Sequence, residues 1–452
     1  MPDTNQTTAH SPHRRIWAIA GPAIIANSAA PLVGLVDAWV IGHLPGARYL
    51  AAVSAGATVF SFIYWAFGFL RMGTTGLTAR AHGRRDMDSL NRLLLRALIL
   101  SMILSGTILL FQTVIMTAGM AALAPPEAVR PLMRDYMAIR IWSAPAQLAF
   151  YVFNGLLIGL ARARTALLLH LVLNLTNGAL NLVFVLGLSM GVSGIALGSL
   201  IAEWIAALMG LYLTVQALGG GRLVAALKER ATYRLNAFRA LFAVNAWLFI
   251  RTLLLITALS LVTRQAGQIS AAALAASHVL NTFLMLLSLG LDGFAYAAEA
   301  LAGAAAGARD RRQFDKVVQA GFQWAIAASL VYTIIFGGFG MAIGRALTDV
   351  ADVRAALATA MPIMAAMPLV AVWCYQFDGI FIALAASRAM ALTMAGATLV
   401  YLAILFPLTQ HFGLSGLWTA VLVLMGLRGG LQALVWRRLV RRAFAPARRP
   451  GA

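Results

Sequence analysis

The chain has a single cysteine, Cys374, among 452 residues. That excludes an intramolecular disulfide and any metal site built from a cysteine cluster. Charge is scarce too: Asp, Glu, Lys and Arg make up 11% of the residues, against roughly a quarter in an ordinary soluble domain. Acids are the scarcer sign, 15 against 35 basic residues, and neither Lys228 nor Lys316 follows a glycine. Without that dipeptide there is no Walker A loop to cradle a nucleotide phosphate. The sequence also lacks a His-Glu-x-x-His zinc motif and a Gly-x-Ser-x-Gly nucleophile elbow, which leaves a membrane-embedded enzyme as a remote alternative only.

What is present is apolar, at 61% of residues. The apolar residues form twelve runs, near 16–41, 50–79, 93–118, 132–161, 165–189, 194–217, 237–263, 271–304, 317–344, 355–386, 390–411 and 413–436. A helix needs roughly 20 such residues to cross a hydrocarbon core of about 30 Å. The expected fold class is an all-α polytopic membrane protein with twelve transmembrane helices in two six-helix lobes. Cytoplasmic loops collect Lys and Arg; here the N-terminus, every second loop and the C-terminus hold 25 of the 35 basic residues, and the alternate loops hold six. Both termini are therefore expected in the cytoplasm, which requires an even number of spans. The basic tail RRLVRRAFAPARR reads as an orienting segment that faces phospholipid, not as a nucleic-acid arm. Residues 1–15 precede a run too long for the apolar part of a signal peptide, so the first helix is expected to be retained.

The two halves of the chain repeat one another. A shift of 224 residues lays Leu50-Ala-Ala on Leu274-Ala-Ala, Gly83 on Gly307, Asp86 on Asp310, Asn154-Gly155 on Asp378-Gly379 and Arg164 on Arg388. Six helices per repeat give both copies the same orientation, related by a pseudo-two-fold axis along the membrane normal, with a cavity expected between them. The reading divides the chain into a cytoplasmic N-terminus (1–15), an N-lobe (16–217), a cytoplasmic linker (218–236), a C-lobe (237–436) and a basic cytoplasmic tail (437–452).

Clear of the span ends lie five acids, Asp37, Glu203, Asp292, Glu299 and Asp378, and four arginines, Arg71, Arg140, Arg251 and Arg428. Each acid costs about 2.5–3.5 kcal/mol at a helix centre on insertion scales, so each should face protein or a water-filled cavity. Arg71, Arg251 and Glu203 sit in otherwise apolar helices and are expected in structural ion pairs. Asp292 and Glu299, seven apart, share a helix face with Ser288 and Ala295, a stripe that suits a cavity wall. His170, Asn174, Asn177 and Asn181 recur at i, i+4, i+7 and i+11 and form either amide contacts between helices or a cavity lining; for His170 the structural role is the stronger. Asp37 differs. It has no basic residue in its own helix and no counterpart in the second half, where Leu261 stands. An acid so placed can change charge by taking up a proton, and Pro22 and Pro31 of the same helix permit a bend. A hydrogen-bonded structural acid and a Na+ ligand are the alternatives.

PLVGLVDAWVIGHL, YLAAVSAG, FLRMGTTGLTARAHGRRD, FIRTLLL, LDGFAYAAEALAGAAAGARDRRQF and FDGIFIALAASRAM together resemble the multidrug and toxic compound extrusion (MATE) family, in its DNA-damage-inducible protein F branch, over nearly the whole chain. The resemblance implies a secondary exporter that exchanges a cation, usually H+, with Na+ as the alternative, for amphipathic and often cationic organic compounds by alternating access. It implies no cofactor. By the same resemblance Asp37 is the proton-coupling residue, with Asn177 and Asn181 on the facing helix; family members commonly carry aspartate where Asn181 stands. An amide cannot release a proton, so coupling rests on Asp37 alone in the first lobe or is shared with Asp378. Asn154, Asn174, Asp292 and Glu299 are expected to line the cavity, with Phe60, Tyr64, Phe150, Phe153, Met285 and Trp373 as adaptable apolar contacts. The expected partners are small drug-like or cationic molecules and membrane lipids, with the chain working as a monomer in the inner membrane. A flippase of lipids or lipid-linked oligosaccharides shares the fold and is the alternative.

Overall fold

The structure, a computed structural model, describes residues 11–42 and 46–445; the side chains of 30–33, 35–38, 237 and 240 lie outside that description. The described residues are helical almost throughout, and no strand occurs among them. A backbone in hydrocarbon has no water to bond to, and an α-helix satisfies its own N–H and C=O groups within one segment.

In chain order the helices are α1 (Pro12–Gly42), α2 (Ala47–Gly83), α3 (Met87–Leu110, resumed as Gln112–Leu123), α4 (Arg130–Gly159), α5 (Ala163–Gly187), α6 (Gly191–Leu218), α7 (Leu235–Ile269), α8 (Ala271–Gly307), α9 (Arg311–Leu347) and α10 (Ala351–Ala383). A last stretch, Ser387–Ala443, divides at Gly413 into α11 (387–412) and α12 (414–443). Gly413 has φ 57 and ψ −133, a conformation that a side chain strongly disfavours, so the turn between the last two spans needs glycine. Among the described residues, ten stretches are long and apolar enough to cross a membrane. The last of them holds two spans, and α1 completes the twelve. Pro22 and Pro31 do not interrupt α1, which is helical from end to end.

The duplication is written into the turn geometry. Asp86 and Asp310 each cap the helix that follows, accepting from Ser89 N and Gln313 N at 2.9 Å, a contact that satisfies one orphan donor of the first turn. The residue before each cap is left-handed, Arg85 at φ 56 and Arg309 at φ 57, and so are Ala161 at φ 58 and Ala385 at φ 52. Close packing repeats as well. A Cβ on Gly155 would sit 2.5 Å from Arg71 O, and one on Gly379 would sit 2.5 Å from Ala295 O. In both repeats the fourth helix rests directly on the backbone of the second.

The chain forms two compact units, one of Ile25–His82 and Asp86–Phe242, the other of Met1–Ile24, Gly83–Arg85 and Ala243–Ala452. The start of α1 thus groups with the C-terminal half, whereas the sequence suggests a lobe running unbroken from residue 16. Trp17 is the reason: its ring meets Phe294 of α8 and Trp324 of α9 edge-on, with centroids 5.4 and 5.3 Å apart. Within the N-terminal unit, the segment expected as a linker is folded from its start. It forms a helix, Gly220–Lys228, and a 3-10 turn, Arg230–Tyr233. Arg96 of α3 holds that turn by donating to the carbonyls of Ala231 and Thr232 at 2.8 and 3.0 Å, and Arg92 pairs with Glu229 at 3.0 Å.

The repeated glycine contacts give a direct test. Gly155→Val and Gly379→Val should each destabilise the folded protein in detergent by about 1–3 kcal/mol or more, since the neighbour in the way is backbone and cannot swing aside. Gly106→Val, where an added Cβ meets nothing within 4 Å, should leave the thermal midpoint unchanged.

Candidate functional site

In the N-terminal unit the dominant polar group is an ion pair between α4 and α6. Arg140 grips Glu203 with two nitrogens, at 2.8 and 2.5 Å, and reaches Ser143 Oγ at 2.5 Å. Its guanidinium lies over the rings of Phe60 and Tyr64, 5.8 Å from each centroid, and the Tyr64 hydroxyl is 2.8 Å from Ser143 Oγ. Phe60 and Tyr64 are thus buried around a charge that they help to shield. A two-point guanidinium–carboxylate fork is the geometry that best repays the desolvation of both ions. Arg71 is buried on α2 where that helix meets Gly155.

The polar stripe of α5 is turned toward neighbouring helices of its own unit. His170 Nε2 lies 3.0 Å from Asn154 Nδ2 of α4, and its ring meets Phe150 edge-on at 5.0 Å. Asn177 donates to Ser199 Oγ of α6 at 2.9 Å, and Asn181 donates to Asn177 Oδ1 at 3.3 Å. Asn174 is half-buried, and its amide nitrogen has no hydrogen-bond partner. Directly after Asn181 the helix widens into a π-turn, Leu182–Gly187. Phe153 is buried against Gly210 of α6.

In the C-terminal unit three groups converge on one carboxylate. Asp378 of α10 accepts through Oδ2 from Arg251 of α7 and from Arg428 of α12, the latter at 2.9 Å, and through Oδ1 from Gln432 at 2.7 Å. Asp378 is 8% exposed, Arg251 6% and Arg428 3%, so the cluster is shut off from bulk water. The repeat makes the contrast plain: Asn154, at the equivalent place in the first half, meets a histidine. Gln432 escaped the sequence reading, although it follows Arg428 by four residues and so shares its helix face.

The α8 stripe faces α10. Ser288 hydrogen-bonds the hydroxyl of Tyr375, Ala295 touches Gly379, and Glu299 is 2% exposed, with Asp292 half-buried between them. Met285 and Trp373 lie on exposed faces, at 44% and 45%. Asp37 sits in the last third of α1, and its side chain lies outside the described residues.

Twelve helices in a two-fold repeat, with charge clusters buried within each unit, are the build of a polytopic membrane transporter. A MatE family model matches residues 22–183 and again 248–408, one match per repeat. DNA damage-inducible protein F of Escherichia coli (strain K12) is 36% identical over 428 residues, covering 95% of this chain and 93% of that protein. Protein DETOXIFICATION 44, chloroplastic, of Arabidopsis thaliana is 24% identical, over 93% and 81%. Among solved structures, an outward-facing multidrug resistance MATE transporter superposes with a TM-score of 0.82 at 21% identity, over 96% of this chain and 97% of that one. The chain belongs to the MATE family of transporters, and its relatives in that family are not enzymes.

Arg140→Met leaves Glu203 buried without its cation and should cost about 3–5 kcal/mol of stability, whereas Arg140→Met with Glu203→Met should recover most of that loss. Thermal unfolding of the two variants in detergent, followed by tryptophan fluorescence, measures the difference.

Proposed function

We propose that this chain is a secondary active exporter that moves amphipathic, often cationic, organic compounds across the inner membrane by alternating access in exchange for H+, with Asp37 as the protonation switch. The observation that carries the reading is where the other polar groups are spent. Glu203 is gripped by Arg140, and Asp378 is held by two arginines and Gln432. Asn181 is an amide bonded to Asn177, so it neither releases a proton nor offers a second carboxylate. Asp292 and Glu299 lie on the face of α8 that packs on α10. Asp37, in a run from Ile16 to Ile41 that holds no basic residue, is the acid that the family resemblance assigns to coupling.

In this scheme Asp37 takes a proton on the outer side, and the loss of its charge changes the preferred state of α1 and releases the bound compound outward. After reorientation the proton leaves to the cytoplasm. Proton and substrate compete, and that competition makes the exchange obligatory. Membership of the MATE family supports the substrate class. The distribution of basic residues supports an orientation with both termini in the cytoplasm. A flippase for phosphate-bearing lipids is disfavoured, because three of the four intramembrane arginines are already committed to carboxylates.

Proteoliposomes with an imposed pH gradient test the proposal. The wild type should accumulate a fluorescent lipophilic cation under that gradient and not under a Na+ gradient, and Asp37→Asn should fall to the rate of protein-free vesicles. Equal accumulation by Asp37→Asn removes the switch, and uptake driven by Na+ alone replaces the coupling ion.

A further inference from the structure

The end of α12 carries a surface that the transport scheme does not use. At 1.5 Å per residue, the 30 residues of 414–443 extend about 45 Å, well beyond a hydrocarbon core of about 30 Å. The last turns must therefore emerge at the level of the lipid headgroups. Trp436 stands where the apolar stretch gives way to RRLVRRA, the position at which aromatic side chains mark the membrane interface.

From that point the helix has two faces. One is apolar and seated: Trp436 stacks on Phe314 of α9 at 6.3 Å with an interplanar angle of 18°, and Phe444 meets the same Phe314 edge-on at 5.2 Å. Phe314 and Val440 are buried, at 0% and 1% exposure. The guanidinium of Arg311, at the start of α9, lies over the ring of Phe444 at 5.4 Å and closes this contact. The other face carries Arg437, Arg438, Arg441 and Arg442, all exposed. Positions i, i+1, i+4 and i+5 fall within an arc of about 140° at 100° per residue.

Neighbouring acids do not neutralise this face. Asp315 is occupied by Arg311 at 2.7 Å, and Asp310 caps α9. Among the described residues, no carboxylate pairs with any of the four arginines. Among the described residues, their counter-charge is left to the surroundings. Because the opposite face is packed on α9, the arginines are presented as a fixed row on the surface of the unit.

We propose that this four-arginine face is a binding site for the headgroups of anionic phospholipids in the adjoining membrane leaflet. The continuity with a spanning helix commits the site to lipid in preference to a soluble anion: the guanidiniums begin one residue beyond the interfacial tryptophan, at headgroup depth. Guanidinium also matches phosphate with paired donors. The consequence is a transporter whose C-terminal unit is tethered to acidic lipid through α12 and, by way of Phe314, through α9.

The test uses the full-length purified protein in a zwitterionic detergent. Titration with short-chain phosphatidylglycerol should raise the thermal midpoint of the wild type, whereas phosphatidylcholine and inorganic phosphate at the same concentrations should not. The variant with all four arginines changed to glutamine should keep the lipid-free midpoint and bind phosphatidylglycerol at least tenfold more weakly; the four-lysine variant, which keeps the charge without the paired donors, should bind between the two. Should the glutamine variant fold poorly, native mass spectrometry of Arg437→Gln/Arg441→Gln, counting retained phosphatidylglycerol, gives the same answer, with fewer bound lipids expected. Wild-type affinity in the glutamine variants overturns the proposal. So does stabilisation of the wild type by phosphate equal to that by phosphatidylglycerol.

Discussion

A charged side chain in hydrocarbon has no water to solvate it, and every ionised group in a span must find its counter-charge and hydrogen bonds within the protein. This constraint governs the interior of both units. Arg140 and Glu203 meet it with a two-point fork walled by aromatic rings, and Asp378 meets it with two arginines and an amide. Groups satisfied in this way are locked, because protonating or moving one of them strands its partner. A membrane protein that must change charge during its cycle therefore has to keep one acid outside these locks. The functional proposal follows from that division between locked and switchable charge.

The duplication shows which parts of the fold tolerate divergence. Turn geometry has been kept closely: the same left-handed residues, the same aspartate caps and the same glycine against the same backbone oxygen recur 224 residues apart. These features fix how helices are joined and how closely they approach, and one side chain in the wrong place would separate them. The polar interior has diverged instead. At one pair of equivalent positions Asn154 contacts a histidine and Asp378 anchors a three-partner cluster. Two lobes with one scaffold thus hold different charges.

The spans, their number and the repeat are legible in the sequence because they depend on local properties, namely run length, basic loops and the turn residues Gly and Asp. Helical spacing also shows that the α5 stripe and the Asp292–Glu299 pair occupy single faces. Spacing gives the face of a helix but not the neighbour it meets. The arginine that reaches Glu203 lies 63 residues away, and Arg251 is 127 residues from Asp378. The grouping of the start of α1, as far as Ile24, with the C-terminal half was hidden for the same reason, since it depends on Trp17 meeting rings of α8 and α9. The folded linker depends on Arg92 and Arg96, which in sequence look like ordinary members of a basic loop.

The central claim is that one acid binds either a proton or the substrate's influence, never both. Its most direct measurement is proton release on binding. In weakly buffered detergent solution near neutral pH, a fluorescent lipophilic cation is titrated into the purified protein while dye binding and pH are recorded together. The account predicts that the wild type gives up protons in proportion to dye bound, and that Asp37→Asn binds dye but gives up none. Dye binding by the wild type without proton release, or undiminished release from Asp37→Asn, would contradict it.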